Sequence, residues 1–366
     1  MQIGDRRFLF EAVLPAMGLG IAFTVSLTVR PAAAVVFHSG VQVDSLIRAG
    51  ETHFKHLYQL TDGGENAEAY FSWDGQWLIL QATPRGQGCD QIYEMPAAGG
   101  EMKMVSTGKG RCTCSYFFPG DKEILFSSTH LGSPDCPPKP DFSKGYVWAL
   151  YDTYDVFKAD RDGSNLRRLT TEPGYDAEGT ISRDGRIVFT SDRDGDVELY
   201  TMNSDGGDVK RLTHAAGYDG GAFFSPDGKK ICWRASRPKD EQELKEYQDL
   251  LKTGLIRPSE LEIYMMDADG SHQVQLTNNG AANFCPFFKP DMKKLIYASN
   301  VNDPQKRNFD LYLVDLDTKQ VEQVTFDRTF DGFPMFSPDG TRLVFASNRG
   351  DERPGETNIF MAEWKD

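Results

Sequence analysis

Six residues recur at one position of a repeated segment, and their types suit oxygen chemistry. They are Asn66, Cys112, Asp176, Asp219, Asn283 and Asp331, each opening a short hydrophobic run. Two residues further on stand Glu68, Cys114, Glu178, Gly221, Cys285 and Phe333. If the runs converge on one axis, then Asn66, Glu68, Asp176, Glu178, Asp219, Asn283 and Asp331 ring a single opening. Two carboxylates about 8 Å apart repel by roughly 2 kcal/mol at an effective dielectric near 20. A divalent cation or a Lys/Arg-bearing segment relieves such a ring. Oxygen-only donors favour Ca²⁺ over zinc or copper, which makes Asp176, Asp219 and Asp331 the candidate ligands; no other cofactor is expected. The competing reading is architectural: each side chain bonds the neighbouring unit's backbone and staples the ring.

The elements that must position these residues repeat. AYFSWDG (69–75), SYFFPGD (115–121), GTISRDG (179–185), AFFSPDG (222–228), PFFKPDM (286–292) and PMFSPDG (334–340) each read as a strand end entering a tight turn. A hydrophobic strand follows each turn: WLILQA, EILFSS, RIVFTS, KICWRA, KLIYAS and RLVFAS. A third strand and, in five repeats, a fourth ending such as LRRLT or VEQVT complete the unit. The turn-to-turn period is roughly 45 residues, stretched to roughly 64 in two repeats. Four short strands at that period predict an all-β fold, a six-bladed β-propeller of four-stranded antiparallel blades. The sixth repeat is one strand short, and residues 56–61 carry the missing Leu-Thr ending. The N-terminal strand is therefore expected beside NIFMAE (358–363), closing the ring and removing an open edge.

Three segments are expected: 1–34 an export signal or membrane anchor, 35–53 a lead-in, and 54–366 the propeller. Arg6 and Arg7 precede an apolar stretch, and Ala32, Ala33 and Ala34 offer a cleavage site. The Asp5–Phe10 run also has the look of a twin-arginine signal. Cleaved or retained as an anchor, the segment places the propeller in the periplasm or outside the cell. Membrane contact is expected only through this segment, if it is uncleaved. A formal net charge of −14 disfavours nucleic acid, whose phosphates select basic grooves. Cys89, Cys112, Cys114 and Cys136 fall toward one face and are disulfide candidates.

Both long insertions lie between second and third strands, hence on one face. The first, residues 130–154, is proline-stiffened and carries Tyr146, Trp148 and Tyr151, either as a contact surface or as packing. The second, 237–261, holds a helix capped by Asp240 and Glu243, with Leu244, Tyr247 and Leu251 on its apolar side.

The Phe-Ser-Pro-Asp-Gly turns, Thr190–Gly195, Met202–Gly207 and the closing Arg211-Leu212-Thr213 together resemble the TolB-type propeller repeat, across all six blades. That resemblance implies a periplasmic propeller binding a peptidoglycan-associated lipoprotein. The family's founding member has an α/β domain ahead of the ring; none is expected within residues 1–53 here. The repeat is also similar to propellers of exported peptidases and of lyases acting on uronic-acid sugars. No Gly-x-Ser-x-Gly elbow, His-Glu-x-x-His or phosphate loop is present. The expectation is an exported, non-catalytic propeller binding a protein or peptide, such as an envelope lipoprotein or exported peptidase. The alternative is a polysaccharide lyase or glycoside hydrolase using rim acids and a divalent metal, or an accessory propeller of a peptidase.

Overall fold

The computed structural model describes residues 40–350, 353 and 355–366; the expected export segment lies outside them. Six antiparallel blades are present; in blades 1 to 5 the strands follow chain order from the innermost outward, and in blade 6 the N-terminal strands lie outermost. The innermost strands are Glu65–Phe71, Cys112–Phe117, Asp176–Ile181, Asp219–Phe224, Asn283–Phe288 and Asp331–Phe336, opening blades 1 to 6. The face where they begin is called the upper face here. The face where they end in tight turns is the lower face.

The turn motif is a clasp. In blade 4, Ser225 Oγ donates to Asp227 Oδ1 at 2.6 Å and accepts from Lys230 N at 2.9 Å, while Gly228 takes φ +72°. Ser72–Asp74, Ser182–Asp184 and Ser337–Asp339 repeat the bond in blades 1, 3 and 6. Side-chain bonding of this kind pre-forms the hairpin. The Leu-Thr ending has a separate cause. The hydroxyls of Thr170, Thr213, Thr277 and Thr325 accept the N–H of Val156, Leu199, Ile263 and Leu311 at 2.8–2.9 Å. Each satisfies a buried donor at the start of a third strand.

Thr61 does the same for Ile359 at 2.8 Å, so the closing strand obeys the rule of its repeat. Phe54–Gln59 pairs with Asn358–Trp364, with Leu57 opposite Ala362 and Tyr58 opposite Met361. The ring is closed as expected. The lead-in is more than a connection. Val41–Gln42 adds a fifth strand to that sheet, and the Glu51 carboxylate is buried against Arg349 at 3.0 and 3.1 Å. The described residues of the lead-in thus belong to the ring's packing.

The two insertions also join. Trp148–Ala149 pairs antiparallel with Leu255–Ile256, and Leu150 N donates to Gly254 O at 2.8 Å. This two-stranded strap crosses blade 3 and encloses a small core of Leu150, Tyr154, Tyr175, Val197, Tyr218 and Ile256. Helix α1, Glu241–Leu251, is capped by Asp240 Oδ1 accepting from Glu243 N at 2.8 Å. Its Tyr247 and Leu251 pack on the same core, and Tyr247 OH donates to Asp196. Cys89 and Cys136 form a disulfide that ties the blade-1 loop to the first insertion; Cys112 and Cys114 are free thiols.

Candidate functional site

The innermost strands carry an irregularity at one shared position. Glu68, Cys114, Glu178, Gly221, Cys285 and Phe333 all have φ between +50° and +60°. Each lies where the pairing with the second strand slips by a residue. A left-handed residue in a bulge re-aims its side chain, and five of these six line a chamber on the axis. Left-handed φ is costly for non-glycine residues, yet the chain repeats it around the ring.

Gly221 is needed there for a second reason. A Cβ would lie 2.1 Å from Arg234 Nη1, because the Arg234 guanidinium fills the space that the other blades give to a side chain. Arg234 pairs with Glu178 and donates to Tyr218 OH at 2.8 Å. Glu178 Oε2 accepts from Thr190 Oγ1 at 2.8 Å, Gly221 N at 2.9 Å and Tyr218 OH at 3.1 Å. Trp148 of the strap lies with its ring 5.0 Å from the same guanidinium, within cation–π range.

Glu68 has no arginine of its own. Burial pushes its carboxyl up to about 7; a hydrogen bond with Cys114 opposes that rise, and the Glu178 charge adds to it. Burial also holds the Cys114 and Cys285 thiols well above the ordinary range, so both stay protonated and weakly reactive. Below them Tyr70, Tyr116, Phe223 and Phe287 interlock at centroid distances of 5.3–6.3 Å and floor the chamber. Its volume of about 20 Å³ holds roughly one water.

The first column, expected at the channel mouth, lies elsewhere. Asn66, Cys112, Asp176, Asp219, Asn283 and Asp331 are all buried, and none lines the chamber. They sit at the seams between blades. Each donates its backbone N–H to a carbonyl of the preceding blade at 2.9–3.1 Å. Asn66 and Asn283 add side-chain bonds to Thr357 O and Leu261 O. The three aspartates instead take an arginine from their own blade: Asp176 with Arg193 at 2.8 Å, Asp219 with Arg237 at 2.6 Å, and Asp331 with Arg349 at 2.8 Å.

These residues do not fit a shared Ca²⁺. The three carboxylates stand in separate seams, each already neutralised. Among the described residues no cluster of three His, Cys, Asp or Glu is placed to hold a metal. Asp176, Asp219 and Asp331 each keep one buried oxygen without a hydrogen-bond partner. Next to Asp331, Asp310 is pushed up to about 7 by burial and by the repulsion of Asp331 and Glu51. That seam therefore carries excess carboxylate that a proton on Asp310 relieves.

The insertion aromatics divide. Trp148 and Tyr151 are partly buried against the strap's core, so their main role is packing. Tyr146 is 69% exposed, and with Phe142 at 53% and Leu131 at 57% it leaves apolar surface on the upper face. Sequence reasoning missed Arg234 and the seam arginines. Their signal was present: an arginine two residues past the second strand occurs in blades 3, 4 and 6, the blades that carry aspartate.

The profile of the TolB beta propeller domain matches residues 139–254. The Tol-Pal system protein TolB of Bordetella pertussis is 54% identical over 39 residues, 10% of this chain and 9% of that protein. The match thus spans under a tenth of the curated relative's length. A putative TolB from Agrobacterium tumefaciens superposes with a TM-score of 0.55 at 22% identity, over 83% of this chain and 91% of that one. TolB from Acinetobacter baumannii gives 0.52 at 20%, over 83% and 64%. An oligogalacturonate lyase in complex with manganese gives 0.51 at 14%, over 90% and 99%. At these identities the structural likeness concerns the fold. Repeat, closure and profile together identify the chain as a TolB-like six-bladed β-propeller.

Proposed function

We propose that this chain is an exported, non-catalytic propeller that binds a protein or peptide partner over its insertion-bearing face. The observation that carries the reading is the strap: two insertions from different blades build one ordered platform that presents Leu131, Phe142 and Tyr146 to solvent. Exposed apolar side chains next to an ordered strap favour protein contact. The exposed acids Glu241, Glu243 and Glu246 on α1 and the net charge of −14 favour a basic partner. The relative's name, Tol-Pal system protein, suits an envelope lipoprotein as that partner. An exported peptidase fits equally.

The alternative chemistry, lyase or glycoside hydrolysis on rim acids, meets a steric objection. A chamber of about 20 Å³ does not admit a sugar ring. The test is co-purification from envelope extract of the chain and its Phe142→Ala/Tyr146→Ala variant. A partner held by the parent and lost by the folded variant supports the platform. Equal retention by both, or turnover of a polygalacturonate or peptide by the parent, overturns it.

A further inference from the structure

The lower face carries a second cavity, and it is the chemical opposite of the chamber above. Below the aromatic floor the axis opens into a bowl of about 470 Å³, within the usual range of ligand and peptide sites. Its wall includes Trp73, Phe224, Pro226, Phe288, Pro290 and Pro338. The turn position that is proline in four blades is Trp73 in blade 1 and Arg183 in blade 3.

Arg183 is the one charged side chain lining the bowl. It is exposed, and no hydrogen bond or ion pair to it is found among the described residues. The nearby carboxylates are committed to their own turns: Asp184 accepts from Ser182 Oγ, and Asp227 accepts from Ser225 Oγ and Lys229 N. Arg186, by contrast, is held by Ala268 O at 3.1 Å.

We propose that this bowl is a second binding site, taking the apolar C-terminal residues of a polypeptide with their terminal carboxylate on Arg183. Charge complementarity sets the anion: a lone unpaired guanidinium at an apolar wall is matched by one carboxylate. The floor sets the form of the ligand. Tyr70, Tyr116, Phe223 and Phe287 make the recess blind, so a chain cannot thread through it: the apolar side chains fill the bowl and the chain end stays at the rim with Arg183. A blind bowl of about 470 Å³ offers compact side chains more contact than a long acyl chain, which needs a tunnel.

The test uses the full chain and a fluorescein-labelled pentapeptide ending in leucine-leucine-phenylalanine, as free acid and as C-terminal amide, followed by anisotropy. The acid is expected to bind saturably, with the amide at least about tenfold weaker. Arg183→Gln, on an exposed turn, should bind acid and amide alike at the affinity of the parent for the amide. Phe142→Ala/Tyr146→Ala should leave peptide affinity unchanged, which separates this site from the platform above. Equal binding of acid and amide by the parent, retained preference in Arg183→Gln, no saturable binding, or binding of laurate in place of the peptide would each overturn the proposal.

Discussion

The two ends of the axis are built from the same six strands and differ in almost every physical respect. Near the upper face the shared position holds Glu68, Cys114, Glu178, Gly221, Cys285 and Phe333, no two neighbours alike, around about 20 Å³ of space. At the lower face the shared turn holds proline in four blades of six, around about 470 Å³. The upper end is paired, bulged and flanked by a strap, and the lower end is clasped, apolar and open. Repetition fixes the backbone, and each blade is then free to diverge wherever its side chain meets five others instead of its own sheet. A layer that is aromatic in four of the six strands, Tyr70, Tyr116, Phe223 and Phe287, keeps the two chemistries apart.

The largest expected effect lies in the upper seams. Arg349→Met strands Asp331 and Glu51 as buried charges and should cost roughly 3–5 kcal/mol in denaturant unfolding. A loss under about 1 kcal/mol would mean the seam is wet and the contrast overstated. Phe223→Ala attacks the partition itself. It removes ring contacts to Tyr70, Tyr116 and Phe287 and should cost roughly 3–4 kcal/mol. It should also expose Cys114 and Cys285 to thiol reagents that the parent resists; unchanged labelling would show that the floor is not the barrier.

The third prediction concerns pH. Glu68 and Asp310 have folded-state pKa values of about 7, against 4.5 and 3.8 as ordinary values. The folded state holds a proton that the unfolded chain releases, so this stabilisation is complete below pH about 4 and is lost as pH rises through about 7. Glu68→Gln and Asp310→Asn should therefore each raise stability at pH 8 by roughly 1–3 kcal/mol, with no gain at pH 4. A gain of the same size at both values would point to packing instead of protonation. The smallest effect belongs to the lower rim: Arg183→Gln should change stability by no more than about 0.5 kcal/mol, and a larger loss would reveal a partner for Arg183.

Much of the ring was legible because its signals repeat. The Ser-Asp clasp and the Leu-Thr ending each satisfy named backbone groups, so they recur wherever a blade does, and Thr61 betrays the closing strand. The direction of the first column was not legible. In a regular strand Asp176 and Glu178 point the same way; the left-handed bulge at Glu178 breaks that alternation, and its sequence carries no turn residue in five blades. Comparing repeats would have helped. Arg193, Arg237 and Arg349 accompany Asp176, Asp219 and Asp331, whereas Pro84, His130 and Val301 stand in the other blades. The pairing of Trp148–Ala149 with Leu255–Ile256 had no readable pattern, since two residues cannot display a period.

That pairing turns two loops into one strap whose Trp148 reaches the Arg234 guanidinium of the chamber. Amide hydrogen exchange on the free protein tests it directly. Residues 147–150 and 254–256 should exchange together, at least about tenfold more slowly than residues 131–146. Exchange of 147–150 at the rate of 131–146, with the inner strands still protected, would contradict it.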